Sequence, residues 1–389
     1  MRVELYGKVI PRIMVLTEPP YLELVLRDIN LEDGLKRLQS LNPEEIILLT
    51  EKSGLRGRGG GGFHLHLKWQ LALKKKPPRI LIANGCEGEK GAYSNFFLLR
   101  RAPRRIVMGL AASIKTLGVS EVYFTLRPEY LSEGDRLKPY FRLVEDALNV
   151  RIHLFFTQGR YVEGEETALI SLIEKKVFAG FPLDKPPHPV EKGLFGYPTV
   201  VSNVETLGQL SLVLLNGYSR GGSQDYNQRT KVITVTTSQG TYAGEAPLGV
   251  KVEDLLSFLS ADYTGVHIGG LGGIILKGGE ELKVSYSFEG LRNFGTSLGA
   301  SLVVLEEPFS PSQYLVSFLD SALTESCGKC VPCRSGLSLL FRNPYLPEYI
   351  REEILYLMTK ASLCGLGKGA SIFLRKFYKD FGGNLGSKW

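Results

Sequence analysis

Four cysteines in the C-terminal part of the sequence have a spacing that is typical of an iron-sulfur site. Cys327, Cys330 and Cys333 form a C-x2-C-x2-C motif, and Cys364 follows in SLCGLG. Three thiolates on a tight loop can hold one face of a cubane cluster, and a remote fourth thiolate closes it. Zinc is the alternative, although structural zinc sites usually present two separated pairs of cysteines. The spacing predicts a [4Fe-4S] cluster, with zinc or unligated buried cysteines as the competing interpretations.

A glycine-dense segment, GLRGRGGGGF, contains Gly57, Gly59 and Gly62 in the spacing G-x-G-x-x-G. Glycines allow backbone N–H groups to approach a phosphate or a flat ring, and Arg58 and Lys68 add positive charge. The preceding segment reads as a helix and not as a strand, so an ordinary dinucleotide fingerprint is not predicted. The segment predicts a surface for a flavin and its phosphate, with a flexible surface loop as the alternative.

Polar residues follow several predicted strands and turns of the same region. Ligands bind at the carboxyl ends of strands in parallel α/β sheets, which is where Asn84 follows the strand RILIAN. Further acidic and polar side chains are present in three other segments: Glu87, Glu89, Glu165, Glu166, Ser202 and Asn203. A helix cap or a solvated position is the ordinary alternative for each of them. Their number in one region favours a binding site.

The elements that must position these residues change in character along the chain. NPEEIILLTEK predicts a helix in the first 60 residues, with Asn42 as its cap and Pro43 at its first position. From Arg79 onwards, RILIAN, EVYFTLR and RIHLFF alternate with helices, including one through LLRRAPRRIVMGLAASIKTLG. This alternation predicts an α/β fold with a parallel, doubly wound sheet.

The second half of the chain predicts two further units. SRGGSQDYNQ reads as a linker, KVITVTTSQGTYAGEA as a hairpin with its turn at Ser238–Gly240, and VEDLLSFL and HIGGLGGIIL complete a β-plus-helix unit. After Pro311 four helical patterns predict a small bundle that carries the clustered cysteines on its connections. The predicted domains are therefore residues 1–220, 221–310 and 311–389.

Composition limits the classes of function. The 389 residues are 43% hydrophobic, which suffices for two or three domains and a large buried cofactor. No stretch approaches the roughly 18 apolar residues of a spanning helix, so we expect a location in the cytoplasm, including the cytoplasmic side of a membrane complex. The net charge of +7 suits solvated faces, an anionic cofactor or an acidic partner. No nucleic-acid motif accompanies this charge, and nucleic acid is not an expected partner.

Longer segments resemble one known family. SGLRGRGGGGFHLHLKW is similar to SGLRGRGGAGFPTGLKW, the flavin loop of the NADH-binding flavoprotein subunit of respiratory complex I. YVEGEETAL, GLFGYPTVVSNVETL, ESCGKCVPCRSG and SLCGLG resemble that family's segments in the same order over nearly the entire chain. The family includes homologous subunits of NAD-linked hydrogenases, formate dehydrogenases and bifurcating enzymes.

The resemblance implies a Rossmann-like FMN-binding α/β domain, a ubiquitin-like β-grasp (SLBB-like) domain and a C-terminal helical bundle that holds a [4Fe-4S] cluster. It implies FMN contacts from Gly57, Arg58, Gly59, Gly60, Lys68, Asn84, Glu87, Gly164, Glu165, Ser202, Asn203 and Thr206. It implies NADH contacts from Phe63, Glu89, Tyr161, Glu166 and Lys185, and cluster ligation by Cys327, Cys330, Cys333 and Cys364. The implied partners are a thioredoxin-like [2Fe-2S] subunit and a larger iron-sulfur subunit.

The implied activity is hydride transfer between NAD(P)H and FMN, followed by one-electron transfer through the cluster to partner subunits. No side chain is required as a catalytic acid, base or nucleophile. The sequence departs from the family pattern NADESEPGTFKDR, where it reads NGCEGEKGAYSNF and places Cys86 at an aspartate position. Leu71 and His188 replace two aromatic residues. These departures leave two alternatives open: a non-nicotinamide electron donor, or a scaffold that has lost flavin.

Overall fold

The computed structural model describes residues 10–176, 180–182, 187–216 and 229–384. Its first part contains the strands β1 (Ile13–Leu16), β2 (Ile80–Gly85), β3 (Glu121–Leu126), β4 (Arg151–Phe156) and β5 (Thr199–Asn203). The helices of this part are α1 (Leu31–Gln39), α2 (Pro43–Ser53), α3 (Leu65–Leu73), α4 (Ser94–Arg101), α5 (Pro103–Leu117), α6 (Leu131–Leu148), α7 (Glu166–Ile173) and α8 (Val204–Asn216). The predicted linker at 219–228 lies outside the described residues.

Strands β2 to β5 form a parallel sheet in the order β4-β3-β2-β5. Alternate residues of β2 point to opposite faces, as the pleat requires. Leu81 and Ala83 join a core shared with α5, α6 and α8, whereas Ile80 and Ile82 pack against residues of α7. Helices therefore cover both faces of the sheet, which confirms the predicted parallel α/β fold.

The helix pattern around residue 100 was predicted as one helix and is two. Helix α4 ends at Arg101, and α5 begins at Pro103 as its first residue. Proline lacks the N–H that would continue the ladder, so the chain turns at Ala102. Upstream, α2 begins as predicted. The Asn42 side chain accepts the N–H of Glu45, and the Glu45 carboxylate accepts the N–H of Asn42.

A second, six-stranded mixed sheet has the order β1-β7-β6-β10-β8-β9. It contains β6 (Thr230–Thr237), β7 (Gly240–Pro247), β8 (Tyr263–Ile268), β9 (Ile274–Lys277) and β10 (Ser301–Glu306), with the short helices α9 (Val252–Leu255) and α10 (Phe288–Arg292). The hairpin β6–β7 turns between Thr237 and Gly240 as predicted.

Strand β1 was not predicted, because the first 60 residues were read only as a helical approach. Ile13 pairs with Thr241 and Leu16 with Gly244 in a parallel ladder along β7. The four residues IMVL are too few for a periodic pattern, and their hydrogen-bond partners come from the far half of the chain. Strand β1 thus belongs to the second sheet, although it precedes all strands of the first sheet in the sequence.

Four helices form the C-terminal bundle: α11 (Pro311–Glu325), α12 (Val331–Arg342), α13 (Glu348–Ala361) and α14 (Gly365–Phe381). They agree with the four predicted helical patterns. Leu271 and Ile275 of the second sheet unit share the core of this bundle, so the two units pack directly together. None of the helices in the described ranges is long and apolar enough to cross a bilayer.

Candidate functional site

The glycine-rich loop between α2 and α3 lies against the carboxyl end of β5. Gly57 N donates to Phe63 O at 2.9 Å and closes the loop. Gly60 and Gly62 have φ angles of 103° and 61°, which favour glycine. A Cβ on Gly59 would lie 3.3 Å from Asn203, whereas a Cβ on Gly61 would meet no atom within 4 Å. The loop is therefore closely packed on one side and open on the other.

Arg58 is buried and anchors this loop. Its backbone N–H donates to Thr206 Oγ1 at 2.9 Å, and its Nε donates to Thr230 O at 2.9 Å. Burial lowers the pKa of Arg58 to about 10, an effect that the nearby Glu205 carboxylate opposes. The guanidinium thus bonds to the first residue of β6, a contact that the sequence did not reveal.

Several predicted flavin residues meet where β2 and β5 end. The Asn84 amide donates to Gly164 O at 3.2 Å, and the Asn203 amide donates to Asn84 O at 3.3 Å. Ser202 is buried beside them, and its Oγ has no hydrogen-bond partner among the residues that the structure describes. A buried hydroxyl without a partner is costly unless another polar group completes it. The site therefore fits a ligand with polar atoms, and FMN is such a ligand.

Lys68 and Glu166 from the predicted FMN and NADH sets form an ion pair. Lys68 Nζ lies 2.6 Å from Glu166 Oε1 and donates to Val201 O at 2.7 Å, which places the pair beside Ser202. Glu165 has a structural role besides the FMN contact that the resemblance predicts for it. Its carboxylate accepts the N–H of Ala168 at 2.9 Å and caps α7.

Glu87 and Glu89 are both engaged by the protein itself. Glu87 is buried and accepts hydrogen bonds from Ser94 Oγ at 2.6 Å, Asn95 N at 3.0 Å and Tyr130 OH at 2.9 Å. It therefore caps α4. Glu89 accepts the backbone N–H groups of Ala300 and Ser301 at 3.0 and 2.6 Å, and burial raises its pKa. Their predicted ligand contacts remain predictions.

Two predicted NADH residues lie in different surroundings, and one lies outside the described residues. Phe63 is half exposed at the edge of the glycine loop. Tyr161 packs against the core that includes Leu271, and its N–H donates to Glu325 Oε2 of α11 at 3.0 Å. Burial raises the pKa of Tyr161, with smaller contributions from Glu89 and Cys364. Lys185 lies outside the described residues.

The four predicted cluster ligands gather at the amino ends of two helices. Cys330 precedes α12, Cys333 lies in its first turn, and Cys364 precedes α14. Backbone N–H groups of Leu366 and Gly367 point at the Cys364 sulfur and oppose the rise in its pKa. Helix amino ends favour negative charge, so this arrangement stabilises thiolates and an anionic cluster.

The four predicted cluster ligands act on one another electrostatically. Burial raises the pKa of Cys333 to about 12, and the thiols of Cys330, Cys364 and Cys327 add to the rise. Within the described part of the chain, no three Cys, His, Asp or Glu groups are arranged around one metal-ion position. Ligation of a [4Fe-4S] cluster by these four thiols stays a prediction.

Several charged residues that connect the first sheet unit, the second sheet unit and the bundle were not predicted from the sequence. Lys231 of β6, Glu205 of α8 and Glu325 of α11 join the glycine loop or the acidic turn to other elements. A signal was present for the first of these, since Lys231 interrupts the otherwise uncharged strand TKVITVTT. A charged side chain in a strand buried on both faces requires a partner.

A parallel α/β sheet with a glycine loop at its carboxyl edge, joined to a bundle that gathers four cysteines, defines a flavin-dependent oxidoreductase subunit with an iron-sulfur site. Residues 50–211 match the family model described as the Nuo51 FMN-binding domain. The chain is 30% identical over 379 residues to an F subunit of the NADH-quinone oxidoreductase of Rhizobium meliloti, covering 89% of both proteins. It belongs to the family of NADH-quinone oxidoreductase F subunits. The resemblance found in the sequence is thereby confirmed.

Other relatives extend the comparison. The NADP-reducing hydrogenase subunit HndC of Solidesulfovibrio fructosivorans is 30% identical, with 86% of this chain and 74% of that protein covered. A crystal structure of an NAD+-reducing [NiFe]-hydrogenase in its H2-reduced state superposes with a TM-score of 0.81 at 29% identity. The match covers 92% of this chain and 66% of that one. The similar proteins are subunits of larger assemblies.

Proposed function

We propose that this chain is the electron-input flavoprotein subunit of a multisubunit oxidoreductase. It transfers hydride between NAD(P)H and FMN and passes single electrons through a [4Fe-4S] cluster to partner subunits. The observation that carries the proposal is the juxtaposition of two sites. Tyr161 lies three residues before Gly164, whose O accepts the Asn84 amide, and it packs against the same core as Cys364.

FMN, when bound, supplies the chemistry that accepts a hydride pair and releases electrons one at a time. The residues of this chain bind and orient it. The open side of the glycine loop offers backbone N–H groups to the phosphate or ring, and the buried Ser202 hydroxyl gains the partner that it lacks. Asn84 and Asn203, held by each other and by Gly164, present amide groups at the same edge.

The nicotinamide is proposed to enter from the side of Phe63, Glu166 and Tyr161. Phe63 offers an exposed aromatic face, and Glu166 offers a carboxylate that is now paired with Lys68. Tyr161 is partly buried and lies within electrostatic reach of both Glu89 and Cys364, so it is proposed to separate the nicotinamide from the cysteines. No described side chain is needed to move a proton during hydride transfer.

The cluster site is proposed to consist of Cys327, Cys330, Cys333 and Cys364. Ligand thiols must lose their protons when a metal binds, and the amino ends of α12 and α14 favour the resulting negative charge. The left-handed Gly328, with a φ angle of 74°, lets the chain turn between the first two cysteines. Cluster loading should therefore release protons and stabilise the bundle.

The finer architecture and the assembly are also proposals. The second sheet and the bundle are proposed to be the β-grasp and cluster domains at 221–310 and 311–389. Strand β1 belongs by sequence to the domain at 1–220 but pairs with β7 of the second sheet. The proposed partners are a thioredoxin-like [2Fe-2S] subunit and a larger iron-sulfur subunit, in the cytoplasm or on the cytoplasmic side of a membrane complex. The exposed apolar residues of the bundle are suited to such contacts: Val331, Leu339, Tyr349, Tyr356 and Leu357.

The test is an anaerobic titration of the purified holoprotein with NADH and, separately, NADPH. We expect one nicotinamide to bleach the flavin absorbance and then to produce the signal of a reduced [4Fe-4S] cluster in electron paramagnetic resonance. Metal analysis should give iron and not stoichiometric zinc. If neither nicotinamide reduces the fully loaded protein, a non-nicotinamide electron donor is supported. If the purified protein contains neither FMN nor iron, the scaffold interpretation is supported.

A further inference from the structure

A buried ion pair connects the second sheet to the first. Lys231 Nζ of β6 lies 3.1 Å from Glu205 Oε2, and the two side chains are only 2% and 1% exposed. Removing two charges from water is costly, and a hydrophobic pair of similar volume is often as stable. The pair therefore calls for a role beyond stability.

Both members of the pair hold main-chain groups around the glycine loop. Lys231 Nζ also donates to the backbone O of Arg58 at 3.0 Å, and Arg58 Nε donates to the O of Thr230 at 2.9 Å. The other Glu205 oxygen accepts the N–H of Val232 at 2.8 Å. The middle of the glycine loop is thus tied to the first residues of β6 in both directions.

The two ends of the same loop are held by α10, which lies between β9 and β10 of the second sheet unit. Arg56 pairs with Glu289 and lies over the Phe288 ring at 4.0 Å. Phe288 packs so closely on Gly62 that a Cβ there would be 2.6 Å from the ring. The second sheet unit therefore holds the loop at two places. One is the contact of α10 with Arg56 and Gly62, and the other is the contact of Lys231 with Arg58.

We propose that Lys231 is a positioning residue of the flavin site, which acts by holding Arg58 and the neighbouring glycine N–H groups in the arrangement that receives the flavin phosphate or ring. This inference rests on the proposed function. Loss of the ammonium group leaves the Arg58 carbonyl without its donor and Glu205 without its counter-charge. The loop can then move away from the carboxyl end of β5. Its backbone N–H groups then no longer point to one position that the flavin could occupy.

The test compares variants of the full chain freed of flavin, using FMN fluorescence to measure the dissociation constant and urea to measure stability. Lys231→Met should lower stability and weaken FMN binding about tenfold, as expected for loss of one charge-assisted hydrogen bond. The double variant Glu205→Gln/Lys231→Met removes both charges, so stability should recover while FMN binding stays weak. Lys376→Met is the matched control. Lys376 is a largely buried lysine of α14 that pairs with Glu281 Oε2 at 2.9 Å. This variant should lose stability but keep FMN affinity.

Hydrogen exchange of the loop amides, measured without flavin, gives a second readout. In the double variant we expect Gly57–Gly62 to exchange faster than in the wild type, and in Lys376→Met we expect no change there. Normal FMN affinity and normal loop exchange in the double variant would refute the positioning role of Lys231. This result would leave the proposed function of the chain unaffected. A wild-type apoprotein that does not bind FMN would instead refute the proposed function, while the exchange data would still decide whether Lys231 positions the loop.

Discussion

At the scale of single residues, Cys86 is the cysteine that the cluster does not explain. It lies in the hydrophobic layer between the first sheet and α7, with its Sγ 3.4 Å from Thr125 Oγ1. Burial raises its pKa to about 12, and the hydrogen bonds between its Sγ and the side chains of Thr125 and Thr157 oppose this rise only in part. Of the two interpretations made from the sequence, an inert side chain is the one favoured by these surroundings.

We therefore expect Cys86 to resist alkylation in the folded holoprotein. At pH 8 about one thiol in ten thousand would be ionised, and the thiolate is the reactive form. Iodoacetamide labelling followed by mass spectrometry should modify Cys86 only after unfolding. Labelling of Cys86 in the folded protein at the rate of a free cysteine, or a visible band from a thiol–flavin complex, would contradict this expectation.

His267 predicts a pH dependence of stability. It is buried between β8 and the bundle, where Nδ1 lies 2.7 Å from Tyr314 OH and Nε2 lies 2.8 Å from Gly270 O. Burial lowers its pKa to about 4. Because the unfolded chain then takes up a proton more readily than the folded one, stability is full above about pH 6.5 and falls as the pH drops towards 4.

The loss should amount to roughly 3 kcal/mol over that interval, since each unit of pKa shift corresponds to about 1.4 kcal/mol. Anaerobic urea unfolding at several pH values measures it. His267→Gln keeps a donor and an acceptor but cannot titrate, so the fall between pH 6.5 and 4 should become shallower. An identical pH profile in this variant would show that other groups cause the acid sensitivity.

At the scale of elements, Glu87 determines how α4 begins. The carboxylate accepts the N–H groups of Asn95 and Phe96 at 3.0 and 3.4 Å. These N–H groups lie in the first turn of α4, where no carbonyl of the helix itself can accept them. Arg127 Nη1 donates to the Glu87 backbone O at 2.6 Å and ties this turn to the end of β3. A residue expected to contact flavin thus also starts a helix.

Glu87→Gln should cost about 1–2 kcal/mol of unfolding free energy, because a buried charged cap is replaced by a neutral one. Glu45→Gln makes the same change at the exposed cap of α2 and should cost only a few tenths of that amount. Chemical denaturation measures both variants. Unchanged stability together with lost FMN would show that Glu87 acts on the flavin and not on the helix.

At the scale of the whole molecule, Glu325 joins the cluster bundle to the flavin unit. It accepts the N–H of Tyr161 at 3.0 Å and pairs with Lys90 Nζ at 3.0 Å, while both side chains of the pair are largely buried. Tyr161 and Lys90 belong to the two turns beside the flavin edge. The distance between the proposed flavin site and the proposed cluster site therefore depends on this contact.

Glu325→Ala should slow reduction of the cluster after NADH is mixed with the holoprotein, while flavin reduction keeps its rate. It should also destabilise the protein by about 1–3 kcal/mol, since the N–H of Tyr161 loses its acceptor. Rapid mixing under anaerobic conditions follows both steps. The control Asp33→Asn removes an exposed pair within α1 and should alter neither step. Equal slowing of both steps would locate the effect of Glu325 in the flavin unit and not in the coupling.

The amino-acid sequence determined the features that depend on neighbours along the chain. The cap at Asn42, the hairpin turn after Thr237, the four bundle helices and the cysteine spacing are all local, because they involve residues a few positions apart. The long motifs likewise identified the family. The alternation of short apolar runs with amphipathic helices also indicated the parallel, doubly wound sheet.

Only the tertiary structure decided which distant groups meet. The pairing of β1 with β7, the bonds from Glu89 to Ala300 and Ser301, and the contact of Lys231 with Arg58 all join segments far apart in the chain. A local pattern records that a side chain is polar or apolar, but not which hydrogen-bond partner folding brings to it. The sequence therefore predicted Glu87 and Glu89 as candidate ligand contacts, while their protein partners became visible only in the folded molecule.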